Sequence, residues 1–199
     1  MAVIKSGATS DQLTIDPLSK AARFSEYSLA GTYVGESPTY RVVLKGITPV
    51  GSATAPMLVL QGSATKTVRL IRARYAATAA TGATGDLWLA KFTTISGGTG
   101  VTQTVAKADS NDANATAVGT SYSVVPTTAT LADNYWTSVR YETITASVAV
   151  PIQVQDFEFG GANEEKPLVL NGTGQYLGLG NSTPGTTPVA DIMIEWVEY

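Results

Sequence analysis

Residues Ala190–Tyr199 read ADIMIEWVEY, and Ile192, Ile194 and Trp196 alternate there with Met193, Glu195 and Val197. A side-chain period of two belongs to a β-strand, whose successive residues face opposite sides of a sheet. The same alternation runs through GDLWLAKFTTI, Gly85 to Ile95, where Trp88, Ala90 and Phe92 interleave with Leu87, Leu89 and Lys91. Two sheet faces are being specified in each stretch, one of them for a core.

Working outward, comparable segments are TYRVVLKGI (39–47), PMLVLQGS (56–63), TVRLIRARYAATA (67–79), TQTVAKAD (102–109), SVRYETITASV (138–148), IQVQDFEF (152–159) and PLVLNGTGQYLGLG (167–180). Turn clusters such as SGGTG, DSNDAN and NSTPGTTP punctuate the chain between them. About nine strands with such turns predict an all-β fold, an antiparallel β-sandwich or jelly roll. The phase slips between Leu70 and Ile71 and again around Gln155 and Asp156, as β-bulges require where a strand bends. Helical signals are confined to Asp16 as an N-cap ahead of Pro17, and to a turn over Thr130 to Trp136.

Composition changes near Pro38, after which Thr, Ala, Gly and Val dominate and charge is sparse. The expected organisation is an extended N-terminal arm over 1–38 and a β-sandwich over 39–199. At 199 residues a compact domain buries about 70% of its unfolded surface, so the core needs no staples. The chain has no Cys and no His, which removes disulfides, thiolate chemistry and histidine-based triads. A net charge of -3 gives no basic field for nucleic acid or anionic lipid. No apolar run approaches the roughly 18 residues of a membrane span, and no signal peptide is visible, so synthesis in the cytoplasm is expected.

Few residues suggest chemistry. Asp156 and Glu158 share a strand face, as a carboxylate pair of a glycosidase would, but alternating charge on a strand is the pattern of a solvated face. The DSNDAN loop, Asp109 to Asn114, gathers oxygen ligands without the glycine and terminal glutamate of an EF-hand, so its Asx residues read as turn formers. Trp88 and Trp196 sit mid-strand and are expected in the core, whereas Tyr135 and Trp136 lie beside a loop and could stack on a sugar ring. GTGQYLGLG leads into no helix and is not a nucleotide loop. Arg69, Arg72 and Arg74 form the one basic cluster, for which carboxylates of a neighbouring subunit are the expected partners. No catalytic residue, metal site or cofactor is expected.

The leader SGATSDQLTIDPLSKAAR, Ser6 to Arg23, resembles one found on accessory virion proteins of tailed bacteriophages: SGA, a few polar residues, LTID or LTVD, then P-x-SKAAR or SKAGR. The matching positions are Ser6 to Ala8, Leu13 to Pro17 and Ser19 to Arg23. In that family the leader precedes varied C-terminal parts, which implies that it docks while the rest varies. A segment too poor in apolar residues to fold alone can order against a partner, with Leu13, Ile15 and Pro17 as anchors and Lys20 and Arg23 as flanking charges. The resemblance itself fits head and tail alike; the expected function is a non-enzymatic capsid decoration or cement protein on the virion head. Its partner would be the major capsid protein or another virion protein, and it would itself be a homo-oligomer, a trimer. The alternative it leaves open is a tail-fibre, spike or head-fibre module that binds a host-surface glycan through Tyr135 and Trp136. A depolymerase using Asp156 and Glu158 is the third reading.

Overall fold

A computed structural model describes residues 4–5, 12–15, 22–23, 37–78, 83–143, 154–159, 168–182 and 189–199. The chain divides into two compact units, Met1–Ser37 and Pro38–Tyr199. In the first, β1 (Ile4–Lys5), β2 (Gln12–Ile15) and β3 (Ala22–Arg23) form an antiparallel sheet in the order β1-β2-β3. Its registers pair Ile4 with Leu13 and Ile15 with Ala22. The helical turn expected at Asp16 and Pro17 falls outside the described residues.

The second unit is an antiparallel β-sandwich. Its strands are β4 (Thr39–Ile47), β5 (Leu58–Gln61), β6 (Thr67–Thr78), β7 (Ala83–Ser96), β8 (Thr99–Thr102), β9 (Ala106–Lys107), β10 (Val118–Val124), β11 (Thr128–Thr143), β12 (Val154–Glu158), β13 (Val169–Asn171), β14 (Tyr176–Asn181) and β15 (Val189–Glu198). One sheet runs β11-β7-β14-β5-β10-β8; the other runs β12-β6-β15-β4-β9, with β13 also paired to β6. From β4 to β7 the chain changes sheet at every step, and β11 to β12 and β14 to β15 cross likewise. The described residues contain no helix, and so none long and apolar enough to cross a membrane.

Alternation fills the space between the sheets. Tyr40, Val42 and Leu44 of β4, Ile192, Ile194 and Trp196 of β15, Leu58 and Leu60 of β5, Leu87 and Leu89 of β7, and Leu177 and Leu179 of β14 are all buried in one cluster. Each such side chain contributes about 1.5–3 kcal/mol when removed from water. The phase slip expected near Leu70 is a bulge: Leu70 pairs with Trp196 and Arg72 with Glu195, leaving Ile71 unmatched on β15. The inward set of β6 accordingly passes from Val68 and Leu70 to Ala73, Tyr75 and Ala77. Beside the bulge β12 gives way to β13: the Phe159 amide donates to the Ile71 carbonyl and the Leu70 amide to that of Leu168.

Other expectations need correction. No slip occurs at Gln155, because β12 pairs with β6 without interruption from Val154 to Glu158. Val154, an exposed valine on the outer face, imitates a change of phase. Thr130 to Trp136 is strand rather than a helical turn, part of β11 where register shifts break the regular alternation. The segment 102–109 carries only the end of β8 and the two residues of β9, while β10 was missed because VGTSYSV has too few large apolar residues to show a period. PLVLNGTGQYLGLG is two strands, β13 and β14, separated at Gly172, whose φ of 85° suits glycine.

The end of β15 holds a buried carboxylate. Glu198 is 1% exposed and accepts hydrogen bonds from the Thr116 and Ala117 amides at 3.0 and 2.9 Å, the Thr116 hydroxyl at 2.6 Å and the Trp196 indole at 3.1 Å. Lys66 Nζ lies 3.8 Å away. Burial alone raises its pKa, but the Thr116 hydroxyl, the two amides and the Trp196 indole outweigh that effect and hold it below the ordinary 4.5. Because the folded-state pKa is depressed, the stabilisation is present above the unfolded value and is lost as pH falls through the folded one. We expect Glu198→Ala to destabilise the unit by about 3 kcal/mol or more, since several buried donors lose their acceptor. In urea titrations, the gap in stability between wild type and Glu198→Gln should hold from neutral pH down to about 4.5 and narrow as pH falls further; a gap independent of pH below 4.5 would contradict the assignment.

Candidate functional surfaces

Odd residues of β15 and β4 and the post-bulge even residues of β6 face outward, because their neighbours fill the core. Register therefore lines up charges across the outer face of the β15 sheet: Glu158 is paired with Arg72, Arg72 with Glu195, and Glu195 with Arg41. Arg72 donates to Glu158 at 2.9 Å and Arg41 to Glu195 at 2.7 Å. One residue pair along, Arg74 donates twice to Asp156, at 2.7 and 3.1 Å. Arg72 and Arg74 thus find carboxylates on the adjacent strand of their own chain. Arg69 makes no ion pair among the described residues. Asp156 and Glu158, the candidate carboxylate pair, are held by these guanidinium groups and face solvent on an open sheet.

The aromatic candidates separate. Trp196 belongs to the main core and packs against Tyr40 at 6.0 Å. Trp88 is buried too, but in a second cluster on the outer face of the β7 sheet with Ala90 and Phe92, covered by Tyr135 and others. Its indole donates to the Ser52 carbonyl at 3.1 Å and meets the Tyr135 ring edge-on at 5.5 Å. It lies over Gly180, where any Cβ would run into the indole. Tyr135 is committed there, its hydroxyl donating to the Ala53 carbonyl at 2.9 Å.

Trp136 is different. The register of β11 on β7 jumps from Leu131–Phe92 to Tyr135–Ala90 and then to Thr137–Leu89, so Ala132 to Asn134 bulge out and Trp136 drops out of the ladder. Bulges of this kind re-aim a side chain. Trp136 is 55% exposed, with its ring 6.4 Å from that of Phe159. Tyr135 and Trp136 therefore have different neighbours.

The Asp109 to Asn114 loop is organised by the chain's own groups. Asp109 accepts from the Asn111 amide at 2.8 Å, Lys107 Nζ donates to the Asp112 carbonyl at 2.6 Å, and the Tyr40 hydroxyl donates to the Ala113 carbonyl at 2.9 Å. The Lys107 ammonium is thus engaged by the loop's own backbone, and no cluster of metal-ligating side chains occurs among the described residues. Lys91, which sequence reading did not single out, points inward from β7 and donates to the Val169 carbonyl at 2.8 Å; burial lowers its pKa. Arg41 and Glu195 were likewise missed, because only strand register reveals that they continue the row begun by Glu158 and Arg72.

Of the arm residues, Leu13 and Ile15 lie in β2 and Arg23 in β3, while Pro17 and Lys20 fall outside the described residues. Comparisons of the chain with protein-family models, with curated proteins and with solved structures found no match.

Of the three tryptophans only Trp136 is open to solvent. Acrylamide quenching of indole fluorescence should therefore fall sharply in Trp136→Phe, with stability changed by no more than about 0.5 kcal/mol, as for surface positions. Trp88→Phe should instead leave the quenching in place and cost about 1 kcal/mol or more through the cavity it opens.

Proposed function

We propose that this chain is a non-enzymatic virion structural protein of a tailed bacteriophage, a capsid decoration protein whose N-terminal arm fastens a β-sandwich to the head. The observation that carries the reading is the division into an arm unit of 37 residues and a sandwich with its own core, alongside a leader that resembles those of accessory virion proteins. The sandwich supplies the folded body; the arm supplies attachment to the major capsid protein or another virion protein.

Strand order supports a jelly-roll winding of that body. The strands β4, β5, β6, β7, β11, β12, β14 and β15 are arranged as β4-β15-β6-β12 in one sheet and β5-β14-β7-β11 in the other. Two interlocked Greek keys generate that order, and jelly rolls of this type build viral coats and lectins. Asp156 and Glu158 are tied into ion pairs, and Lys91 and Lys107 donate to backbone carbonyls, which favours assembly over catalysis.

A second reading keeps one specific support. The exposed indole of Trp136 on a bulged edge strand is a surface on which a sugar ring can stack, as a fibre or spike module binding a host glycan requires.

Deleting residues 1–37 tests the first reading. The shortened chain should keep its β-type circular dichroism and its cooperative unfolding, yet lose co-sedimentation with heads stripped of the protein. A shortened chain that binds heads as well as the full one would refute arm docking, and host-cell binding abolished by Trp136→Ala would shift the assignment to the second reading.

A further inference from the structure

The charge row on the outer face of the β15 sheet has a symmetry that the protein's own ion pairs do not use. Read across β12, β6, β15 and β4, it runs Glu158, Arg72, Glu195, Arg41: negative, positive, negative, positive. Reversed, it becomes positive, negative, positive, negative. A second copy laid face to face, about a two-fold axis running along the strands between β6 and β15, sets each of these four charges opposite its complement. Arg72 then faces Glu195 of the other copy, and Glu158 faces Arg41. An axis across the strands would instead set like charges together, so the pattern selects one orientation.

We propose that this face is a self-complementary docking surface for a second copy of this chain, forming a two-fold dimer. Isologous contacts of this kind join one patch to itself. The neighbouring row agrees: Asp156, Arg74, Met193 and Val43 are in register across the same strands. Reversal places the aliphatic stem of Arg74 on Met193 and brings Val43, 53% exposed, beside Asp156, whose charge Arg74 already neutralises at 2.7 Å. Opposed charges fix register and orientation across such a contact, and like charges set together are costly.

Size sets the strength. Roughly four strands about 4.8 Å apart, each of about nine residues rising about 3.4 Å, give a face near 600 Å² per copy, short of the ~800 Å² typical of a stable complex. The dimer is therefore weak, and specified by charge more than by apolar area. This two-fold contact is distinct from the trimer expected of a decoration protein, and it does not depend on the proposed attachment to a head.

Sedimentation velocity of the full chain alone, over a concentration series at low salt, tests it. A monomer–dimer equilibrium is expected, weakened at ~1 M salt, where the screening length is about 3 Å. Arg41→Glu sets like charges at both ends of the row, and so does Glu158→Arg; each alone should weaken dimerisation by at least ~10-fold. Mixing the two variants in equal amounts should restore it, because each substituted position then meets its complement on the other chain. That rescue separates a lost contact from a lost fold. A strictly monomeric chain, a trimer, a dimer indifferent to both substitutions, or a mixture that fails to recover would each overturn the proposal.

Discussion

The Glu198 carboxylate is the interaction on which the sandwich hangs together. It reaches from the end of β15 to the Thr116 and Ala117 amides that lead into β10, while the Thr116 hydroxyl, its own hydrogen given to Glu198, accepts from the hydroxyl of Ser63, whose oxygen caps the Thr65 and Lys66 amides before β6. One buried negative charge thereby links the middle strand of one sheet to the entrances of strands in both. A buried carboxylate is tolerated only when its oxygens are fully engaged, and here amides, a hydroxyl and an indole engage them. Because β15 lies between β4 and β6, securing it secures the sheet, and the inward leucines of the opposite sheet acquire a surface to pack on.

Charge elsewhere is used in the same structural way. Lys107 organises an acidic loop, Lys91 ties the β7 sheet to Val169, and Asp191 accepts the amide of Gly46, whose φ of 63° bends β4 where its pairing with β15 shifts. Groups that are chemically suggestive when read one by one become supports when their neighbours are known. What remains for interaction is shape and pattern: a bulged edge that presents Trp136, and a sheet face whose charges alternate.

Much of this was written locally. Alternation in ADIMIEWVEY and GDLWLAKF specified which side chains face which way, and the change of phase after Leu70 announced a bulge, because side-chain parity is a property of single strands. Trp88 shows the limit: its strand position foretold burial, but burial on the outer face beneath Tyr135 depends on a bulge in another strand. Thr130 to Trp136 misled for the same reason, since irregular pairing erases the period that marks a strand. The charge row was illegible, for Arg72 and Glu158 are 86 residues apart in sequence, Arg41 and Glu195 154, and both pairs meet only through register.

That separation has a consequence during synthesis. β4 and β6 share a single middle partner, β15, and the ribosome makes it roughly 110 residues after β6, on the order of ten seconds later at ~5–20 residues per second. Throughout that interval the edges of β4 and β6 meant for β15 stay unpaired and their apolar faces bare. The sheet therefore closes only on the arrival of β15, and with it of Trp196, whose indole then meets Tyr40 and Glu198.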